Sequence, residues 1–133
     1  MARRTPLLPP ATLIAALLFL PGLAAAETVL DIQVELRSLE MTAGDIKAVD
    51  LVAQDAPGFQ VRVSARMAEQ VANLTRANIG KEARLSICGD VIARPVIQEA
   101  ITSGAMVIAP VPGERMQPYL MALTGQAPCP AKN

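Results

Sequence analysis

One stretch of the sequence decides the fold: residues 66–97, which read RMAEQVANLTRANIGKEARLSICGDVIARPVI. In its first part, apolar side chains recur at helical spacing from Met67 to Leu74, which predicts an amphipathic helix over residues 66–79. Gly80 follows directly, where a left-handed residue commonly ends a helix. Beyond it the apolar spacing changes to two, so the stretch predicts a helix followed by strands.

The rest of that stretch predicts a β-hairpin. Residues 84–88 alternate between apolar and polar side chains, and Gly89-Asp90 then forms a pair typical of a two-residue hairpin turn. The chain returns over residues 91–97, where Pro95 lacks the amide hydrogen that the interior of a sheet requires. We therefore expect the returning strand to lie at a sheet edge or to contain a bulge.

Alternating stretches on both sides of this helix and hairpin predict further strands. They lie at 28–37, 47–54 and 59–64 upstream and at 106–111 downstream, with a short turn at 42–46 and a second helix at 114–123. Because no strand–helix–strand unit repeats, this order predicts the α+β class, a mainly antiparallel sheet with two helices packed on one face. The side chains expected in its core include Val71, Leu74, Leu85, Ile87, Ile97 and Ile108.

The segment from Met1 to Ala26 has the composition of a secretory signal peptide. Arg3 and Arg4 precede an apolar run over residues 11–20, and Ala24-Ala25-Ala26 offers the small residues of a cleavage site. The run is shorter than the roughly 18 to 20 apolar residues that span a bilayer. We therefore expect cleavage after Ala26, a periplasmic location and no stable membrane insertion after cleavage.

Residues 27–133 are expected to form a single domain, with residues 125–133 as an extended tail. Their acidic and basic residues are nearly balanced and interspersed, which argues against a nucleic-acid partner. The sequence has no histidine, so histidine-based acid–base catalysis and histidine-ligated metals are excluded. We predict no catalytic residues, no cofactor-binding residues, no metal site and no enzymatic activity.

The chain has two cysteines, Cys88 and Cys129. An even number of cysteines in an exported protein favours a disulfide, although two separate thiols remain the alternative. Two cysteines without histidine are too few ligands for zinc. Their wide separation in the sequence excludes a Cys-x-x-Cys redox motif. We expect a structural disulfide between Cys88 and Cys129.

The central stretch resembles the head subdomain of the first periplasmic domain of SecD, an accessory subunit of the bacterial protein-export translocase. The matching segments are LTRANIGK at 74–81, ICGDV at 87–91, ARPVI at 93–97 and ITSG at 101–104, and their spacing follows the SecD pattern without a gap. The resemblance extends over residues 30–125. It implies the SecD-head fold and marks Asn78, Gly80, Gly89, Pro95 and Gly104 as structural positions rather than catalytic ones.

The resemblance implies a protein- or peptide-binding role, because the SecD head is implicated in contacting emerging polypeptide. An exposed sheet edge near Pro95 could pair with an extended segment of unfolded polypeptide. Two departures matter: Cys88 stands where the family has aspartate, and the membrane helices of SecD have no counterpart, so we do not expect its motor function here. The alternatives are a structural or assembly accessory that binds one specific envelope protein through an open sheet face and, third, an enzyme.

Overall fold

The computed structural model describes residues 26–53 and 55–132. The predicted signal peptide lies outside the described residues, apart from Ala26. Within the described ranges the chain forms two helices and seven strands, in this order: β1 (Thr28–Val34), β2 (Arg37–Thr42), a 3₁₀ turn (Ala43–Asp45), β3 (Ile46–Val52), β4 (Gly58–Val63), α1 (Ala65–Ala77), β5 (Arg84–Ile87), β6 (Asp90–Ala93), β7 (Ala105–Ile108) and α2 (Gly113–Leu123).

The strands form two antiparallel sheets. The four-stranded sheet has the order β2-β1-β5-β6, and the three-stranded sheet has the order β3-β4-β7. The predicted α+β class and antiparallel pairing are therefore confirmed, but the strands do not form the single sheet that we expected. Apolar alternation shows which residues of a strand face inward, but it does not show which strands are neighbours.

The predicted strand over residues 28–37 is instead a hairpin. β1 ends at Val34, a two-residue turn follows at Glu35-Leu36, and β2 returns from Arg37. The alternation of apolar residues continues through this turn, so the sequence pattern does not reveal it. Glu35 has a φ of 54°, and Leu36, in phase with the apolar residues of β1, is fully exposed at the tip.

Helix α1 lies where the sequence predicts it. It begins after Ser64, whose Oγ accepts a hydrogen bond from the amide of Met67 at 3.3 Å, as an N-cap does. Near its end, the side-chain amide of Asn78 donates to the carbonyl oxygen of Leu74 at 2.7 Å. Gly80 has a φ of +88°, so it adopts the predicted left-handed conformation.

The β5–β6 hairpin turns one residue earlier than predicted. Ile87 pairs with Asp90, so the two turn residues are Cys88 and Gly89 rather than Gly89 and Asp90. Both turn residues have positive φ angles, 52° and 82°, as a type I′ turn requires. Aspartate or asparagine followed by glycine is favoured in a type I′ turn, whereas cysteine is not. The sequence therefore does not indicate Cys88 as the first residue of the turn.

One hydrophobic core lies between the two sheets and the helices. Its largest fully enclosed side chains come from both sheets and both helices and include Leu30, Phe59, Val71, Ile87, Ile108, Tyr119 and Leu123. Five of the six predicted core residues are buried. The exception is Leu74, which is half-buried at the margin of the core.

Candidate functional site

An apolar groove opens between the two sheets, with a volume of about 360 Å³. Its floor is the inner face of the four-stranded sheet, which contributes Ile32 and Leu85. One wall is the segment 95–97 that follows β6, and the other is β7. Ile32 and Leu85 are only 2% and 7% exposed, so most of the accessible surface of the groove belongs to its walls.

Backbone hydrogen bonds hold the first wall in place. The amide of Gly80 donates to the carbonyl oxygen of Ile97 at 2.7 Å, and the amide of Ile97 donates to the carbonyl oxygen of Lys81 at 2.9 Å. The amide of Ala83 donates to the carbonyl oxygen of Pro95 at 2.8 Å. These bonds extend the β5–β6 pairing beyond the regular strands and fix residues 95–97 at the side of the groove.

The chain that leads to the second wall is also fixed. The amide of Ile101 donates to the hydroxyl oxygen of buried Thr75 on α1 at 2.9 Å. Gly104 then turns into β7 with a φ of +73°, and its carbonyl oxygen accepts a hydrogen bond from the amide of Val63 at 2.9 Å. A Cβ at position 104 would lie only 3.0 Å from the Cβ of Ala68, so glycine is required both by the backbone angle and by the helix beside it.

The groove is lined mainly by apolar side chains. Val96 and Val107 stand on opposite walls and are 55% and 57% exposed, which is unusual for valine in or beside a strand. Among the residues that line the groove, Glu99 carries the sole charge. Such a surface favours an uncharged, apolar ligand.

A second cluster ties the C-terminal tail to the tip of the β5–β6 hairpin. Cys88 and Cys129 form a disulfide with Cα atoms 5.5 Å apart. The Tyr119 hydroxyl on α2 donates to Asp90 Oδ2 at 2.6 Å, and Lys132 Nζ lies 3.9 Å from Asp90 Oδ1. We call this group of five residues the clasp.

Two other properties of the clasp bear on stability. Burial of the Tyr119 side chain, together with its hydrogen bond to Asp90, raises the pKa of Tyr119 to about 12. The amide of Cys129 also donates to Glu27 Oε2 at 3.0 Å, which joins the tail to the residue before β1. Nothing in the clasp pairs a nucleophile with a base, so we regard it as structural.

The fold is similar to solved structures of SecDF. The first comes from the study "Structure and function of a membrane component SecDF that enhances protein export": the likeness has a TM-score of 0.56 at 28% sequence identity and covers 63% of this chain and 40% of that one. The second, SecDF in a super-membrane-facing form, gives a TM-score of 0.53 at 28% identity over 63% of this chain and 12% of that one. The fold is SecD-like.

The SecD-like domain thus corresponds to a part of longer chains, 40% and 12% of their lengths. No protein-family model matches the chain, and no curated protein matches it either. The resemblance that the sequence motifs indicate is confirmed by these structural matches.

Of the five residues predicted as structural positions, Pro95 lines the groove, and Gly80, Gly104 and Asn78 each adjoin or bond to a residue that lines it. Gly80 and Pro95 fix its first wall, Gly104 begins the second, and Asn78 caps the helix end beside Thr75. Gly89 lies apart from them, in the turn next to the disulfide. The sequence identifies these residues one by one, but it does not show that four of them lie at or next to one groove.

Two further observations concern metal binding and membrane insertion. In the ranges described, no group of three or more histidine, cysteine, aspartate or glutamate side chains is arranged to hold a metal ion. In those same ranges no helix has the length and hydrophobicity needed to cross a membrane.

Proposed function

We propose that this SecD-like domain is an exported, non-enzymatic protein that binds polypeptide segments in the apolar groove. The observation that carries the proposal is the groove itself, in a fold similar to that of SecDF, a membrane component that enhances protein export. A polypeptide that has not yet folded exposes apolar side chains, which is the chemistry that this surface favours. The SecDF motor activity is no part of the proposal.

The proposed location is the periplasm. The Cys88–Cys129 bond requires an oxidising compartment to form and persist, and the segment from Met1 to Ala26 has the composition of a secretory signal peptide. Intact-mass measurement of protein recovered from the periplasm should therefore give the mass of a chain that starts at Glu27. Recovery of the full-length chain in the membrane fraction would contradict this part of the proposal.

Binding can be tested with a reduced, carboxymethylated ribonuclease, a soluble chain that stays unfolded. Fluorescence anisotropy should show saturable binding by the parent protein. Val96→Asp places a charge on the groove wall and should weaken binding by at least about tenfold, because the carboxylate would have to be desolvated beside an apolar ligand.

Val91→Asp is the matched control. Val91 is also a strand valine and is 43% exposed, but it lies on β6 outside the lining of the groove. Its aspartate variant should bind like the parent. Equal binding by both variants, or no binding by the parent, would contradict the proposed function. Capture of one stoichiometric envelope protein by the Val96→Asp variant would instead favour the role of an accessory that binds one envelope protein.

A further inference from the structure

The four edge strands of the two sheets differ in charge. β2 contains Arg37 and Glu40, β3 contains Lys47 and Asp50, and β6 begins with Asp90. β7, the fourth edge strand, reads Ala-Met-Val-Ile and has no charged residue. Charged side chains on an edge strand discourage pairing with another chain, so β7 is the edge that lacks this protection.

The backbone of β7 has hydrogen-bonding groups directed away from its own sheet. The amide of Val63 donates to the carbonyl oxygen of Gly104, so these two residues form a hydrogen-bonded pair of β4 and β7. Hydrogen-bonded pairs recur at every second residue of an antiparallel ladder, so Met106, which is paired with Val61, also bonds to β4. Val107 is in the other set, whose amide and carbonyl groups point outward. In the part of the chain that the structure describes, the backbone of Val107 has no hydrogen-bond partner beyond the sheet.

The neighbouring outward-facing residue is covered by a side chain. The amide of Ala105 donates to Ser103 Oγ at 3.2 Å, and the Ser103 hydroxyl reaches the carbonyl oxygen of Ala105 at 3.4 Å. These contacts are long and exposed, so an incoming strand could replace them. The edge available to an incoming strand therefore consists of the backbone of Val107 and that of Ala105, once the Ser103 side chain is displaced.

The size and charge of this edge indicate what occupies it. β7 has four residues, which span about 13 Å, whereas a stable protein–protein interface buries about 1,200 Å² or more. A second copy paired through this strand alone would bury too little surface. An extended, uncharged segment fits better, because it can bond to the edge and place alternate side chains in the adjoining apolar groove.

We propose that the polypeptide bound by this domain adds to β7 as an extra strand, and that the domain selects short uncharged segments, comparable in length to β7, in which apolar side chains alternate. This inference rests on the proposed function and specifies its recognition mode. Affinity comes from backbone hydrogen bonds to Val107 and Ala105, and selectivity comes from the apolar groove between β7 and residues 95–97.

The test uses a short fluorescent peptide in which valine alternates with threonine between terminal lysines. Two derivatives carry N-methyl groups, one on the valine amides and the other on the threonine amides. Since the amides of a strand alternate in direction, one of these sets faces β7 and the other faces solvent. One derivative should lose at least about tenfold in affinity, while the other should bind like the unmethylated peptide.

A protein variant tests the same idea from the other side. Val107→Pro removes the outward-pointing amide hydrogen of Val107 without removing a hydrogen bond to β4. Proline is tolerated at such outward-facing positions of edge strands. It should weaken binding of the unmethylated peptide by at least about tenfold. Val91→Pro is the matched control. Ile87 and Asp90 form the hydrogen-bonded pair that closes the β5–β6 hairpin, so the amide of Val91, the next residue, points outward from the sheet. This outward amide lies on the edge of β6, away from the groove.

The outcomes separate the two proposals. Equal binding by both methylated peptides, or equal loss by both, would overturn strand addition while leaving the groove as a binding site. Failure of the unmethylated peptide and of unfolded ribonuclease to bind would overturn the proposed function itself. The peptide comparison decides the matter even if Val107→Pro does not fold.

Discussion

Tyr119 and Asp90 form a hydrogen bond of 2.6 Å between α2 and the β5–β6 hairpin. The Tyr119 side chain is buried, and its hydroxyl donates to a carboxylate that is partly open to solvent. Both burial and the neighbouring carboxylate favour the neutral phenol over the phenolate, which raises the pKa of Tyr119. The pair therefore makes stability dependent on pH in the alkaline range.

We expect the free energy of unfolding to fall between about pH 10 and pH 12. The pKa of Tyr119 rises from its ordinary value of 10.0 to about 12 in the folded protein. Its contribution is complete below the pKa of the unfolded chain and is lost as the pH rises through the folded pKa.

Tyr119→Phe should be about 1 to 2 kcal/mol less stable at neutral pH, because Asp90 loses its hydrogen bond. Its disadvantage relative to the parent should shrink above pH 10. Urea unfolding at several pH values checks both statements, and parallel curves for the two proteins from pH 9 to pH 12 would contradict them.

At the scale of elements, helix α1 shows how burial rather than side-chain size determines the cost of truncation. Val71 is completely buried, whereas Leu74 lies at the margin of the core. We expect Val71→Ala to cost about 2 to 3 kcal/mol, since it removes two buried methyl groups and leaves a cavity. Leu74→Ala should cost less, although leucine is the larger residue.

Denaturant unfolding of the two variants gives this comparison directly. A greater loss for Leu74→Ala would show that the inner face of α1 is rotated from the one described. Gln70→Ala serves as a control for helix propensity, because Gln70 lies on the same helix outside the hydrophobic core.

The elements also show what a sequence can predict. The sequence locates helix α1 to within two residues at each end, because its apolar spacing and its terminal glycine agree. It misses the β1–β2 hairpin, because the turn at Glu35-Leu36 contains no glycine, proline or asparagine and the apolar alternation continues through it. The division into two sheets depends on contacts between distant strands, which local patterns do not record.

The groove could not be predicted for the same reason. Pro95 is correctly associated with the edge of a sheet, since β6 is an edge strand and Pro95 follows it. The other wall, β7, begins only at Ala105 and belongs to a different sheet. The absence of charge in residues 105–108 is visible in the sequence, but its importance depends on β7 being an edge.

At the scale of the whole molecule, the Cys88–Cys129 disulfide joins two points 41 residues apart and encloses β6, β7 and α2. A chain-entropy model assigns a cross-link of this span about 4 kcal/mol of stabilisation. We expect Cys129→Ser to lower the free energy of unfolding by up to that amount. Cys129 is the better position to change, because it lies in the tail, whereas Cys88 is a residue of the β5–β6 turn.

Chemical denaturation of Cys129→Ser and of the parent, with and without reductant, measures this contribution. Reductant should destabilise the parent and leave the variant unchanged. Thiol titration of the unfolded, unreduced parent should find no free thiol. Two titratable thiols, or a variant as stable as the parent, would rule out the disulfide as a source of stability.

The hydrogen bond between Glu27 and the amide of Cys129 has a consequence for how this domain can be used in larger proteins. These residues are 102 positions apart in sequence, yet the two bonded atoms lie within 3.0 Å of each other. A domain whose entry and exit points are adjacent can be inserted into a surface loop of a host protein without forcing that loop apart. We therefore expect residues 27–129, grafted between two strands of an unrelated host, to leave both folds intact.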